Sequence, residues 1–179
     1  MARPRPWRIV CALATLLALA AAPARAQDLE AAIKATYLYK LAPFVVWPAT
    51  AFESPADPLV ICVQSADGFA NLVERAVAGQ HMGGHPIQVR RVARLERGAG
   101  CHIAYVAGSA AQSPGQALAA VEGSPVLTVT DAAHGGARGI VHLLLTGGRV
   151  RFSINASRAD ADGLGVSSKL LALAVEVAR

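Results

Sequence analysis

The sequence predicts an α/β domain with a doubly wound, mostly parallel sheet that ends in an antiparallel hairpin. Two short apolar runs, Leu59–Val63 and Cys101–Val106, are typical of strands buried on both faces. A helical pattern between the first run and the following strand predicts a strand–helix–strand unit, which requires a parallel pair. Gly147-Gly148 between two later apolar runs predicts a hairpin turn.

The N-terminus has the three regions of an export signal. Three arginines precede an uncharged apolar run, Ile9–Ala22, whose length of about fourteen residues is short for a membrane span. Ala24-Arg25-Ala26 then fits a small-x-small cleavage site. We therefore expect residues 1–26 to be a cleaved signal peptide and residues 27–179 to form one exported domain. The alternative is a retained membrane anchor.

Loss of this segment leaves a nearly neutral chain. Four of the 17 basic residues and none of the 12 acidic residues precede Gln27, so 13 basic and 12 acidic residues remain and the net charge is +1 rather than +5. Such a balance gives no indication of nucleic-acid binding. The remaining 153 residues are enough for one domain with its own core.

The most aromatic part of the mature chain comes first and predicts a helix. Asp28 is a suitable N-cap, and apolar residues recur at helical spacing as far as Phe44. Pro43 bends or ends the helix, and Trp47-Pro48 closes it. We expect this helix to pack on the sheet. The alternative is a partly exposed surface for a partner or a ligand.

The segment after the first central strand predicts one helix and one strand. Asp67 is a candidate cap for a helix over residues 68–77. A glycine-rich turn over residues 79–85 follows. Residues 86–95 then predict a strand, because they begin with apolar and polar residues in alternation and continue with several arginines.

The remaining elements follow the second central strand. Ser113-Pro114 predicts the start of a helix that runs to Val121, since proline is favoured at the first helical position. Residues 125–130 predict the next strand, and the hairpin comes after it. A short helix and a last helix close the chain; the last begins at Ser167 or Ser168 and carries apolar residues up to Val177.

The two cysteines of the mature chain, Cys62 and Cys101, and its oxidising destination predict one disulfide. Cys62 lies late in its strand and Cys101 opens its own, so a simple in-register parallel pair offsets them by about three residues, or about 10 Å. A disulfide needs Cα atoms about 4.4–6.8 Å apart. Either the register shifts or the bond is strained and reducible, and its role is either structural or redox-sensitive.

Known catalytic, cofactor and metal motifs are missing from the sequence. It contains no Gly-x-Ser-x-Gly, and Ser167-Ser168-Lys169 does not have Ser-x-x-Lys spacing. Gly163-Leu164-Gly165 lacks the third glycine of a dinucleotide loop. His81 and His85 have a spacing that suits a shared metal, but the residues between them predict a loop and no acidic or cysteine ligand is close. We therefore expect no enzymatic activity, no cofactor and no metal.

Three stretches together resemble the YfiR-like family of periplasmic proteins. The first is residues 34–48, and the second pairs Ile61-Cys62-Val63 with Cys101–Val106. The third and most specific is Gly148–Asn155, followed by Gly163-Leu164 and by residues 167–171. The resemblance covers nearly the whole mature chain. It implies a Rossmann-like three-layer sandwich that is often dimeric and has no enzymatic activity.

The resemblance also implies a role in signalling. Family members bind the periplasmic sensor domain of a membrane diguanylate cyclase and hold the enzyme off, so that cyclic-di-GMP and biofilm formation fall. Cys62 and Cys101 match the pair that members oxidise, and redox stress is thought to release the block through these cysteines. We expect a homodimer that binds no nucleic acid and reaches the membrane only through its partner.

The hairpin is the predicted place of partner contact. Residues 139–145 carry more apolar side chains than one inward face needs, with His142 as the only polar interruption. We expect one limb at a sheet edge, which must be covered, charged or used. The predicted partner-binding residues are His142, Leu144 and Phe152. The alternative is that the helices cover both faces of the hairpin.

A second class of function remains open, a periplasmic module that binds a small ligand. Open α/β sheets usually bind ligands at the carboxyl ends of their strands. The loops predicted at those ends are residues 64–68, 107–114 and 131–136. A polar pocket there favours the ligand module, whereas an exposed apolar patch favours a surface for a protein partner.

Overall fold

The computed structural model describes residues 21–54 and 56–179, with side chains from Gln27 onward. Most of the predicted signal peptide, residues 1–20, lies outside the described residues, so export and cleavage stay predictions. None of the helices in the described part is both long enough and apolar enough to cross a membrane.

The described residues form five α-helices and ten strands. The helices are α1 (Ala21–Leu41), α2 (Phe69–Val77), α3 (Pro114–Ala120), α4 (Ala156–Ala161) and α5 (Ser168–Leu171). The strands are β1 (Val45–Val46), β2 (Leu59–Gln64), β3 (His81–Met82), β4 (His85–Arg91), β5 (Ile103–Val106), β6 (Leu127–Asp131), β7 (Val141–Thr146), β8 (Arg149–Asn155), β9 (Gly165–Val166) and β10 (Glu176–Ala178).

Eight of these strands form one sheet in the order β10-β8-β7-β6-β5-β2-β4-β3. The strands β4, β2, β5, β6 and β7 are parallel, which confirms the predicted strand–helix–strand topology. β8 returns antiparallel to β7 through Gly147 and Gly148. Both glycines have positive φ, 58° and 70°, as a two-residue hairpin turn of the primed type requires.

Alternation along β2 separates two apolar cores on opposite faces of the sheet. Leu59, Ile61 and Val63 belong to the larger core, which also contains side chains from α1 and α2. Val60 and Cys62 belong to the smaller core, against α3. The predicted α/β architecture with a mostly parallel sheet is therefore confirmed, while its closer likeness to Rossmann-type folds stays a prediction.

Two predicted element boundaries near the start of the chain differ from the structure. Asp28 lies inside α1 because the helix of the full-length chain starts at Ala21, so Asp28 can begin the helix only after cleavage. The strand predicted over residues 86–95 ends at Arg91. It ends there because the chain turns so that Leu95 enters the smaller core, where the side-chain oxygen of Gln112 accepts a hydrogen bond from its N–H.

The predicted last helix is also wrong beyond its first turn. It ends at Leu171, and Glu176–Ala178 forms β10, which pairs in parallel with the outer side of β8. Pairing satisfies backbone groups of β8 that a terminal helix would leave open. β10 is therefore the outermost strand, but it covers only Ser153–Asn155 of β8, so the predicted edge in a hairpin limb is confirmed for Arg149–Arg151 alone.

Candidate functional site

Two of the three predicted partner-binding residues are buried. His142 is 6% exposed, and its Nδ1 lies 2.9 Å from the hydroxyl oxygen of Thr130. Phe152 is 5% exposed and makes an edge-to-face contact with Tyr37, with ring centres 6.0 Å apart. Neither side chain offers a surface for a protein contact in this fold. Leu144 is half-buried, so a contact through Leu144 stays a prediction.

An exposed apolar groove lies instead between α1 and the tip of the hairpin. Leu29, Ile33 and Tyr37 of α1 line one side, and Leu145 and Val150 line the other. We call it the α1–hairpin groove; its volume is about 780 Å³. Leu29 is 64% exposed and Leu145 is 51% exposed. Large apolar side chains that line one exposed concavity are typical of a protein-contact surface.

The wall of this groove also includes four polar residues, Gln27, Glu30, Arg149 and Arg151. Arg149 and Arg151 are exposed, and in the described part of the chain neither has a carboxylate within ion-pair distance. They alternate with Val150, so their side chains project from the opposite face of β8. The hairpin tip therefore presents an apolar surface on one face and positive charge on the other.

The structure contains the Cys62–Cys101 disulfide, with Cα atoms 5.7 Å apart. The strand register is the predicted one, since Cys62 pairs with Ala104, three residues after Cys101. The bond is possible because β5 begins only at Ile103, so Cys101 lies before the strand, after Gly100 with a φ of 67°, and is not held in the parallel register. The Cα distance is that of ordinary disulfides, and a redox role stays a prediction.

His102, next to the disulfide, holds Ala51 and Phe52 at the amino-terminal edge of the sheet. Its Nδ1 accepts from the Val60 N–H at 3.0 Å, and its Nε2 donates to the Ala51 carbonyl at 2.9 Å. Phe52 stacks between the rings of His102 and His85, at 4.3 and 4.1 Å. Burial, with the nearby His85, lowers the pKa of His102, against the raising effect of the Ala51 hydrogen bond.

Acid should therefore lower the free energy of unfolding. The pKa of His102 lies below its ordinary value of 6.5 in the folded chain, so the unfolded state takes up the proton first and stability is lost as the pH falls below about 6.5. Denaturation at a series of pH values should show this loss. His102→Gln, whose amide can make both hydrogen bonds without titrating, should reduce the slope.

The exposed variant His81→Gln is the matched control for this pH series and should keep the wild-type slope. Burial also lowers the pKa of His142, so part of the slope should remain in His102→Gln. An unchanged slope in His102→Gln would contradict the role given to this imidazole.

A polar pocket is present at the carboxyl ends of the strands, as the ligand-binding alternative requires. Its volume is about 440 Å³, and it lies between α1 and two of the three predicted loops. Asp67 comes from the loop after β2, and Asp131 and His134 come from the end of β6 and the turn that follows. The loop over residues 107–114 contributes no lining residue.

Lys34 and Asp131 form a buried ion pair on the wall of this pocket. Lys34 Nζ lies 2.9 and 2.7 Å from the two carboxylate oxygens of Asp131 and also contacts Glu30. Burial lowers the pKa of Lys34, but hydrogen bonds with both carboxylates outweigh it, so the pKa is raised and the ammonium stays charged. Because the charges of Lys34, Asp131 and Glu30 pair with one another, this arrangement favours a structural role, as a clamp between α1 and β6, over a ligand-binding role.

Within the described residues, no group of three or more possible ligands could hold a metal ion. His81 is exposed on β3, whereas the ring of His85 hydrogen-bonds to the Asp57 carbonyl at 2.7 Å. The two histidines, whose spacing suits a shared metal, therefore have separate surroundings.

The contribution of Leu29 and Leu145 to one groove is not evident from the sequence. Both lie in segments already noted as unusually rich in aromatic or apolar residues, the first helix and the first hairpin limb. That excess indicates surplus apolar surface, but only the packing of α1 across the hairpin shows that the two stretches meet.

Comparison with known proteins places this arrangement in a family. The YfiR/HmsC-like family model matches residues 31–175, a range that includes both cysteines, the parallel strands and the hairpin. No curated protein sequence matches the chain significantly. The chain therefore belongs to the YfiR/HmsC-like family, whose members are periplasmic regulators of signalling without catalytic activity.

Proposed function

We propose that this protein is a periplasmic repressor that binds the sensor domain of a membrane diguanylate cyclase and so lowers cyclic-di-GMP. Membership of a regulatory family supports the signalling role. The α1–hairpin groove is the observation that carries protein contact as the mechanism, because it exposes apolar side chains that a partner can bury. In this proposal the protein performs no chemistry and acts only through that contact.

The proposal includes three further properties of the mature protein. It is exported and cleaved before Gln27, it forms a homodimer, and its repression is relieved when the Cys62–Cys101 disulfide is reduced. The position of the bond supports the last property. Cys62 is fully buried in β2, and Cys101, which is 8% exposed, lines a cavity of about 380 Å³ at the surface.

The groove can supply much of the binding energy of a complex. Burial of a large apolar side chain that starts fully exposed contributes about 1.5–3 kcal/mol. Leu29 and Leu145 are each more than half exposed, and Ile33 is 40% exposed. Together they can contribute about 2–4 kcal/mol, or more than tenfold in affinity, before any contribution from the arginines.

Leu145→Glu should abolish repression and leave the fold intact. The side chain is already half exposed, so the folded protein tolerates a charge, whereas a carboxylate desolvated in an apolar contact costs several kcal/mol. A strain that lacks the gene should recover low cyclic-di-GMP when it expresses the wild-type chain, but not when it expresses Leu145→Glu.

Ala119→Glu is the matched control for this experiment. It adds the same charge at an exposed position of α3, on the opposite face of the sheet, and should repress like the wild type. Circular dichroism and equal periplasmic amounts verify that all variants fold. Full repression by Leu145→Glu would show that the groove is not the contact surface.

The second candidate function is a module that binds a small ligand in the polar pocket at the carboxyl ends of the strands. The pocket's position favours it, because open α/β sheets bind ligands there. This alternative makes the opposite prediction for the gene-deletion strain. Asp67→Asn and His134→Gln, at the mouth of the pocket, should change cyclic-di-GMP relative to the wild-type chain, whereas Leu145→Glu should not. The mutual pairing of Lys34, Asp131 and Glu30 favours the repressor over this alternative.

A further inference from the structure

The outer side of β8 is only half covered by other strands. β10 pairs with β8 from Ser153 to Asn155, and the N–H of Val175 donates to the Phe152 carbonyl at 3.0 Å. In the described part of the chain, no strand pairs with Arg149–Arg151 on that side. The first half of β8 is therefore an open strand edge, and it borders the α1–hairpin groove.

The register of the hairpin identifies the backbone groups that are open. A two-residue turn is closed by a hydrogen-bonded pair, here Thr146 with Arg149. By alternation, Arg151 also bonds to β7, whereas the N–H and C=O of Val150 point away from it. The Phe152 carbonyl, which accepts from Val175, has the same outward direction. Val150 is only 8% exposed as a residue, but its outward N–H and C=O have no strand partner and are a donor and an acceptor for an incoming strand.

We propose that the open half of β8 binds an extended segment of the partner protein by strand addition, and that this segment alternates apolar with acidic side chains. The side chain opposite Val150 projects to the same face as Val150, into the apolar groove. Its two neighbours project to the other face, beside Arg149 and Arg151, which have no carboxylate of their own within ion-pair distance among the described residues. The identity of the partner rests on the proposed function. The inference of strand addition rests only on the unpaired edge of β8.

Charge decides between a partner of this kind and a second copy of the chain. Two copies of β8 paired antiparallel about Val150 place arginine opposite arginine, and like charges directly opposite each other destabilise a strand pair. An acidic strand places a carboxylate beside each guanidinium and stabilises the pair. The unpaired edge, the apolar side chains of the groove and the two arginines therefore fit one occupant, an acidic amphipathic strand.

Amide exchange at Val150 in the mature chain tests the proposal. The probes are two synthetic peptides, one that alternates valine with glutamate and one that alternates valine with lysine. In the free protein we expect the Val150 amide to exchange freely and the Arg151 amide, bonded to β7, to be protected. Millimolar glutamate peptide should slow exchange at Val150 by about tenfold or more, and the lysine peptide should not.

A charge-reversed variant makes the test specific. In the double variant Arg149→Glu with Arg151→Glu, the preference should invert, so that the lysine peptide protects Val150 and the glutamate peptide does not. Both positions are exposed, and circular dichroism verifies the fold. Reversal of the exposed Arg94 to Glu, away from the hairpin, should leave the original preference unchanged.

Three results would overturn strand addition: no protection of Val150 by either peptide, equal protection by both, or protection in the free protein that grows with its concentration. The last would place a second copy at the edge. Cyclic-di-GMP in the gene-deletion strain is a separate measurement. Protection of Val150 by the glutamate peptide, with no effect of deletion on cyclic-di-GMP, would support strand addition and contradict the cyclase as the partner.

Discussion

Replacing Lys34 with methionine should lower the free energy of unfolding by about 3–5 kcal/mol, because it leaves the buried Asp131 without its counter-charge. The side chain of Asp131 is only 3% exposed, so water cannot replace the ammonium. Methionine keeps the length of the lysine stem, which limits the loss of packing. Urea denaturation followed by circular dichroism measures the change.

Two further variants separate charge from helix propensity at this position. Lys40→Met makes the same substitution at an exposed position of α1 and should change stability by less than about 0.5 kcal/mol. Adding Asp131→Asn to Lys34→Met should restore part of the loss, since asparagine removes the orphaned charge and still accepts a hydrogen bond from the Ala133 N–H. Equal stability of Lys34→Met and Lys40→Met would contradict the clamp.

Loss of the Cys62–Cys101 disulfide should lower the free energy of unfolding by about 4 kcal/mol. The bond joins residues 39 apart in sequence, and closing a loop of that length restricts the unfolded chain by about this amount in the chain-entropy model. Denaturation of the double variant Cys62→Ala with Cys101→Ala, beside oxidised wild type, measures the effect. Reduced wild type should have the same free energy of unfolding as the double variant. Agreement would show that the loss comes from the missing cross-link and not from the smaller volume of the alanine side chains.

Thiol labelling checks the same bond in the cell. The mature protein taken from the periplasm should contain no free thiol. Two free thiols in the folded, unreduced protein would show that the disulfide does not form there. If reduction lowers stability by the expected amount and leaves cyclic-di-GMP unchanged, the bond is a structural link and not a switch.

Local patterns in the sequence were enough to predict most of the sheet. Gly147-Gly148 predicted the hairpin because few other residues adopt positive φ at both positions. Ser113 and Pro114 predicted the start of α3, where the structure shows the Ser113 side chain accepting from the Gln116 N–H. These features depend on residues that are neighbours in sequence, and so they can be deduced from the chain alone.

Features that depend on distant pairing could not be predicted. Glu176–Ala178 follows apolar residues at helical spacing, and only the open backbone of β8 makes it a strand. Lys34 and Asp131 are 97 residues apart, and a single lysine in a helix gives no indication of a buried partner. The pattern of the hairpin predicts His142 as a surface residue, because that pattern does not show which elements cover the second face of the hairpin.

The most direct test of repression by this protein is the level of cyclic-di-GMP in a strain that lacks the gene. We expect deletion to raise cyclic-di-GMP and the wild-type chain, supplied from a plasmid, to lower it again. Cyclic-di-GMP that is the same with and without the gene would contradict the proposed function.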